Sequence, residues 1–255
     1  MKKFFLTTIF VIFAFSLCIA QNENKSALYN RANEMYTKGR FEEAIQLYEK
    51  ILADGFTNYK VEYNLANAYL KTNPPILAKA ILHYERALKL APRDPEIRYN
   101  LEYARSLIRG KLPEPNKSWL QKQWGDFISC VAPPETVMVL SALYFLAVLC
   151  LIFYLIFDAH KIKKTFKVIA IVSAVLFALV IPITYSSLKN ASQERGVVLE
   201  DELPARSGPG EENKELFKVY EGMSVKKVDI RNGWVEVKLP NGLTGWLPAE
   251  KVEKI

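Results

Sequence analysis

Cysteine and histidine are almost missing from this chain, which has three of the first and two of the second in 255 residues. Cys18 lies in an apolar leader, and Cys130 and Cys150 lie at or inside an apolar run, so neither a disulfide framework nor a zinc ligand set can be assembled. His83 and His160 stand apart, the first expected on a helix surface and the second in a lysine-rich loop. Phosphate-binding glycine loops, nucleophile elbows and His/Cys pairs are absent. The acidic run Glu200-Asp201-Glu202 reads as a solvated strand edge or turn rather than a catalytic dyad. The expectation is a protein that is not an enzyme, with no metal and no cofactor.

Charge is absent from two runs, Val137–Phe157 and Val168–Leu188, each about 21 residues and therefore long enough to cross a hydrocarbon core. A transporter or proton relay needs ionisable groups inside its spans, so these read as an anchoring hairpin in a lipid bilayer. Pro182 is expected near the end of the second run, where it is tolerated. The link over 158–167 carries Lys161, Lys163, Lys164 and Lys167 against Asp158, which makes it the cytoplasmic loop. The chain opens with Lys2 and Lys3, an apolar core from Phe4 to Leu17 and a small-x-small site at Cys18-Ile19-Ala20. Residues 1–20 are expected to be a secretory signal peptide; an uncleaved membrane helix is the rival reading, against which the short run and the polar "QNENK" weigh. A signal peptide and a lysine-rich inner loop independently place both flanks outside the cytoplasm. The net charge of +7 is partly taken up by these signals, and export argues against a nucleic-acid partner.

Residues 111–135 hold a linker and then "WLQKQWGDFISCV", in which Leu120, Trp124, Phe127, Ile128 and Val131 share one helical face. A helix lying in the membrane interface and a helix packed on the preceding domain both fit this pattern.

Residues 26–110 hide a repeat. Tyr29-Asn30, Tyr63-Asn64 and Tyr99-Asn100 recur at spacings of 34 and 36 residues, the period of stacked helical pairs. Ala32, Ala44, Ala66, Ala80 and Ala87 allow close helix crossing, aromatics fill the space between pairs, and Pro92 ends a helix. Over Ser26 to Arg109 this resembles the tetratricopeptide repeat: two full repeats and a closing helix, near the minimum for a stable array. Repeat one departs from the pattern at Arg31 and Met35. The resemblance implies a partner-binding groove lined by Tyr29, Asn33, Tyr36, Tyr63, Asn67, Lys71, Tyr99 and Tyr103, suited to an extended peptide. For each tyrosine, simple packing between helices is the competing role. Tyr29, Glu96 and Asn100 stand where capture of a free C-terminus would need basic residues.

From Gly196 the pattern becomes short alternating runs, with Asn232-Gly233 and Asn241-Gly242 as tight turns. "LPARSGPG", "YEGMSVKKVD" and "NGWVEVKLPNGLTGWLPAEKV" resemble a bacterial SH3-like domain, an all-β barrel over 196–255. Arg206, Trp234 and Trp246 form its candidate recognition patch, with Trp234 expected at the core edge and Trp246 partly exposed; both tryptophans serving folding alone is the alternative.

The expected fold is multidomain: an all-α tetratricopeptide solenoid, a two-helix transmembrane hairpin and an all-β SH3-like barrel. That order resembles the BatE family of bacterial aerotolerance operons, carried by "ILHYERALKLAPRDPEIRYNLEYAR", the tryptophans after the linker and "GLTGWLPAEKVEKI". The resemblance implies a multi-pass protein of the bacterial inner membrane with both soluble domains in the periplasm. Its implied partners are membrane or periplasmic proteins, including von Willebrand factor A-domain membrane proteins, in an envelope complex linked to stress tolerance. The other functional reading is a cell-wall-binding or sensing module whose SH3-like domain takes peptidoglycan.

Overall fold

The computed structural model describes residues 25–53, 55–110, 118–157 and 159–255. The expected signal peptide and residues 111–117 of the linker lie outside them. The chain divides into two compact units: one joins the segment up to Pro113 with Arg195–Ile255, and the other is Glu114–Glu194.

The first unit begins with five helices: α1 (25–37), α2 (Phe41–Ala53), α3 (Tyr59–Lys71), α4 (Leu77–Leu90) and α5 (Pro95–Ser106). Local chemistry sets their ends. Gly39, at φ 74°, turns the chain between α1 and α2 at a backbone angle that side chains disfavour. Asn58 caps α3 by accepting from the Lys60 N–H at 2.8 Å. Asp94 caps α5 by accepting from Glu96 and Ile97, with Pro95 in the first turn where its missing N–H costs nothing. Ala32, Ala44, Ala66, Ala68 and Ala80 are wholly buried, so the helices approach closely, and Tyr48, Leu65, Ile81, Leu82 and Tyr84 fill the space between them.

Seven antiparallel strands follow: β1 (Arg195–Val198), β2 (Glu202–Arg206), β3 (Glu215–Tyr220), β4 (Ser224–Arg231), β5 (Trp234–Lys238), β6 (Thr244–Pro248) and β7 (Val252–Lys254). Their order is β3-β2-β6-β5-β4-β1-β7. Asn232 and Gly233 both have positive φ, at 49° and 78°, the conformation of a two-residue hairpin turn, and they join β4 to β5. The inward faces supply a core of Leu203, Val219, Val225, Val235, Val237 and Leu247.

The sheet is built onto the helices. Successive residues of a strand point to opposite faces, and β1 uses both: Val197 enters the core of the helical array while Val198 enters the core of the sheet. Polar contacts continue the seam along α4. The Ala78 N–H donates to the Glu221 carboxylate at 2.8 Å, and Lys79 donates to Glu253 at 2.6 Å. Arg86 reaches Glu253 and the Lys254 carbonyl, and Glu85 accepts from Ser224 and from Arg105. Ile76 offers α4 no side-chain cap, so Glu221 stands in for one.

The second unit contains α6 (Trp119–Cys130), α7 (Pro133–Ile156) and α8 (His160–Ser192). Ser118 and Gln121 form a reciprocal capping box at the start of α6. Helices α7 and α8 pack through Tyr144–Phe177 and Phe153–Phe166 ring contacts, and both are long and apolar enough to cross a membrane. Their residues are hardly buried: Phe145, Leu155 and Leu179 all stand exposed. One expectation needs correction. The segment 158–167 is mostly helix rather than loop, because α8 starts at His160 and its lysines, good helix formers, extend the apolar run backwards by about two turns. Pro182 lies near the end of the apolar run, as expected, and α8 continues past it through Ser192.

Gly222 tests the seam. Its φ is +81°, and a Cβ there would meet Ile81 Cδ1 at 2.7 Å. Gly222→Val is expected to cost about 2 kcal/mol or more. Hydrogen exchange should speed up in α4 and β1 together; a change confined to the sheet would contradict the shared core.

Candidate functional site

The face formed by α1, α3 and α5 carries a hydrogen-bond ladder that occurs twice. In the first turn of the ladder, Tyr48 donates its hydroxyl to Asn33 Oδ1 at 2.6 Å, and Asn64 Nδ2 donates to Asn33 Oδ1 and to the Tyr29 hydroxyl, both at 3.0 Å. In the second, Tyr84 donates to Asn67 Oδ1 at 2.5 Å, and Asn100 Nδ2 donates to Asn67 Oδ1 at 3.2 Å and to the Tyr63 hydroxyl at 2.8 Å. Matching ring contacts accompany each: Tyr29–Tyr48 at 6.2 Å and Tyr63–Tyr84 at 5.9 Å between centroids. The recurring Tyr-Asn dipeptide is thus a device for stacking helical pairs.

This geometry sorts the eight groove residues. Tyr29, Asn33, Tyr63 and Asn67 are half-buried members of the ladder, so their oxygens are committed to holding helices together. Tyr36 packs its ring edge-on to Phe41 at 5.4 Å, and burial pushes its hydroxyl pKa up. Lys71, Tyr99 and Tyr103 are exposed, the two tyrosines at 73% and 54%. Those three offer free surface.

His83, expected on a surface, is buried. Its Nδ1 lies 2.6 Å from the Glu62 carboxylate, and its ring stacks on Tyr69 at 5.6 Å. Tyr69 in turn donates to Glu49. The periodicity of α4 held a partial signal, since His83 lies one helical turn from Ala80 and from Ala87, both wholly buried, but its partner is 21 residues away. The seam carboxylates Glu221 and Glu253 carry no such local signal. At Glu253, burial raises the pKa, but Lys79 and Arg86 outweigh it and hold the carboxyl below its ordinary value.

On the sheet, Arg206 of β2 lies opposite Trp246 of β6, and Trp246 lies opposite Glu236 of β5. Arg206 donates to the Asn213 carbonyl at 2.9 Å. The Arg231 guanidinium covers the Trp246 ring at 5.7 Å and is itself held by Asp229 at 2.7 Å. That hydrogen bond, with one from the Ile230 N–H, keeps the Asp229 carboxyl below its ordinary pKa. Trp246 is only 8% exposed and Trp234 is half-buried, the reverse of the expected order, because an arginine from β4 roofs the former. The three patch residues are brought together, with Arg231 as a fourth that spacing did not reveal.

Residues 201–253 match the family model of the bacterial SH3 domain. The match covers β2 to β7, well under half of the chain, and leaves out β1, the strand that enters the helical core. No curated protein matches the chain.

Two predictions follow from the ladder. Asn67→Ala removes the acceptor of the wholly buried Tyr84 and is expected to cost about 2–3 kcal/mol. Tyr103→Ala on the exposed surface should change stability by about 0.5 kcal/mol or less; equal losses in the two thermal melts would contradict the division between ladder and surface. Burial also raises the pKa of Tyr48 and Tyr84 above the ordinary value of 10.0. The neutral phenols then stabilise the fold fully below about pH 10, and this contribution is lost as pH rises through the folded-state values. The thermal midpoint should fall on alkaline titration above about pH 10, and less steeply in a Tyr48→Phe/Tyr84→Phe variant; an identical slope would contradict it.

Proposed function

We propose that the chain is a non-enzymatic scaffold anchored in a bacterial membrane, with its helical array presenting a protein-binding surface outside the cytoplasm. The array is read as a short tetratricopeptide solenoid. The observation that carries the proposal is the division of the eight candidate groove residues: a satisfied ladder holds the helices, while Lys71, Tyr99 and Tyr103 stand exposed. Exposed tyrosines on a rigid frame lose little rotamer freedom on binding, which suits them to recognition.

The membrane reading draws on connectivity. Residues on both sides of the apolar helices fold into one compact unit, so the chain between them must return to the side it left. Two crossings do this. Lys161, Lys163, Lys164 and Lys167 in the first two turns of α8 then belong on the cytoplasmic side. Helix α6 exposes Trp119, Leu120, Trp124 and Phe127, residues suited to the interface of a bilayer. By the resemblance to the BatE family, the partners are membrane or periplasmic proteins with von Willebrand factor A domains, in an envelope complex for aerotolerance or stress tolerance.

The match of residues 201–253 favours a second reading, in which the sheet binds peptidoglycan through Arg206, Arg231 and Trp234 and the array serves as its mount.

Affinity capture of the full chain from gently solubilised membranes distinguishes the two. A Lys71→Glu/Tyr99→Ala/Tyr103→Ala variant changes only exposed side chains and should keep the parent's melting temperature while losing its captured membrane proteins. An unchanged set of captured proteins, or retention on purified cell wall alone, would overturn the scaffold in favour of the wall-binding module.

A further inference from the structure

Beside the seam, on the flank of α4, lies a cleft of about 630 Å³. Leu52, Phe56, Leu90 and Ile255 supply apolar lining, beside His83 and the carboxylates Glu49 and Glu62, which accept from Tyr69 and pair with His83, respectively. That volume lies within the range of sites that hold a large side chain or small molecule. The charged groups at its rim are already spoken for: Lys79 and Arg86 pair with Glu253, and Lys89 donates to the Ile255 carbonyl.

The imidazole is different. His83 is 5% exposed, and only its Nδ1 has a partner, the Glu62 carboxylate. Among the described residues, the one sealed side-chain polar atom without a hydrogen bond is Gln193 Oε1, so His83 Nε2 is not sealed. His83 is itself one of the residues that line the cleft. A nitrogen with an unused hydrogen-bonding direction, on a residue that lines a cleft with apolar side chains on its walls and its charges already paired, calls for a ligand with an apolar body and a polar tip. The tip must serve the neutral ring, whose Nε2 accepts, or the charged ring, whose Nε2 donates. A phenol hydroxyl does both.

We propose that this cleft binds a tyrosine side chain, with its ring between Phe56 and Leu90 and its hydroxyl on His83 Nε2. That the tyrosine belongs to a partner protein rests on the scaffold reading above; the chemistry of the pocket does not.

The test uses the full chain in lipid nanodiscs and reads the imidazole nitrogens by NMR. The sequence has two histidines, so His160→Gln leaves a single ring to follow. N-acetyl-tyrosinamide should shift the His83 signals saturably, and N-acetyl-phenylalaninamide, lacking the hydroxyl, should bind about five- to tenfold more weakly. Leu90, 47% exposed, can be replaced without emptying the core, and Leu90→Glu should abolish the shift. No shift at His83, equal affinities for the two amides, or a shift that survives Leu90→Glu would overturn the proposal. Membrane-protein capture does not enter this readout, so the scaffold and the pocket fail separately.

Discussion

Helix α4 enters its first turn without a side chain of its own to receive its backbone N–H groups, and Glu221, 143 residues further along the chain, accepts one of them. Glu253 then sits between Lys79 and Arg86 on the same helix. Uncompensated N–H groups at a partly buried helix start are costly, so the array depends on a strand segment that the chain makes only after its apolar hairpin. Val197 extends the dependence from hydrogen bonds to packing, since it is wholly buried among helices while its neighbour Val198 is wholly buried in the sheet. Five helices bury little surface on their own, and the sheet covers part of what they leave open.

The ladder explains where the repeat stops. Ala32 and Ala66, both wholly buried, let one helical pair settle on the next. The same register on α5 holds Glu102, and the register of Asn33 and Asn67 holds Tyr103. A carboxylate and a bulky ring close the stack to another pair and leave Tyr99 and Tyr103 at its open end. The side chains beyond the last turn of the ladder are therefore the exposed ones, while Asn33 and Asn67 are structural.

Much of this was legible in the residues. The period of 34 and 36, the buried alanines, the Asn-Gly hairpin and the two uncharged runs are local or periodic signals, and helices and strands formed where those signals fall. What escaped them depends on residues distant in the chain. His83 is buried because Glu62 lies 21 residues earlier, and Trp246 because Arg231 crosses from another strand. The seam has no periodicity at all: Glu221, Gly222 and Glu253 read as ordinary turn and strand residues until α4 is placed against them. The start of α8 escaped for a simpler reason, since hydropathy marks where a membrane core ends and not where a helix ends.

The helical array and the sheet form one compact unit whose two chain segments are connected through the apolar helices. Both parts of that unit act on α4, through Val197, Glu221 and Glu253. The most direct measurement of that claim is zero-length carbodiimide coupling in native membranes, read by mass spectrometry. Lys79 Nζ and the Glu253 carboxylate are 2.6 Å apart, so an isopeptide linking them should form and should vanish in Lys79→Arg. Membranes in which the protein is coupled elsewhere but never between Lys79 and Glu253 would contradict the single body on which the account rests.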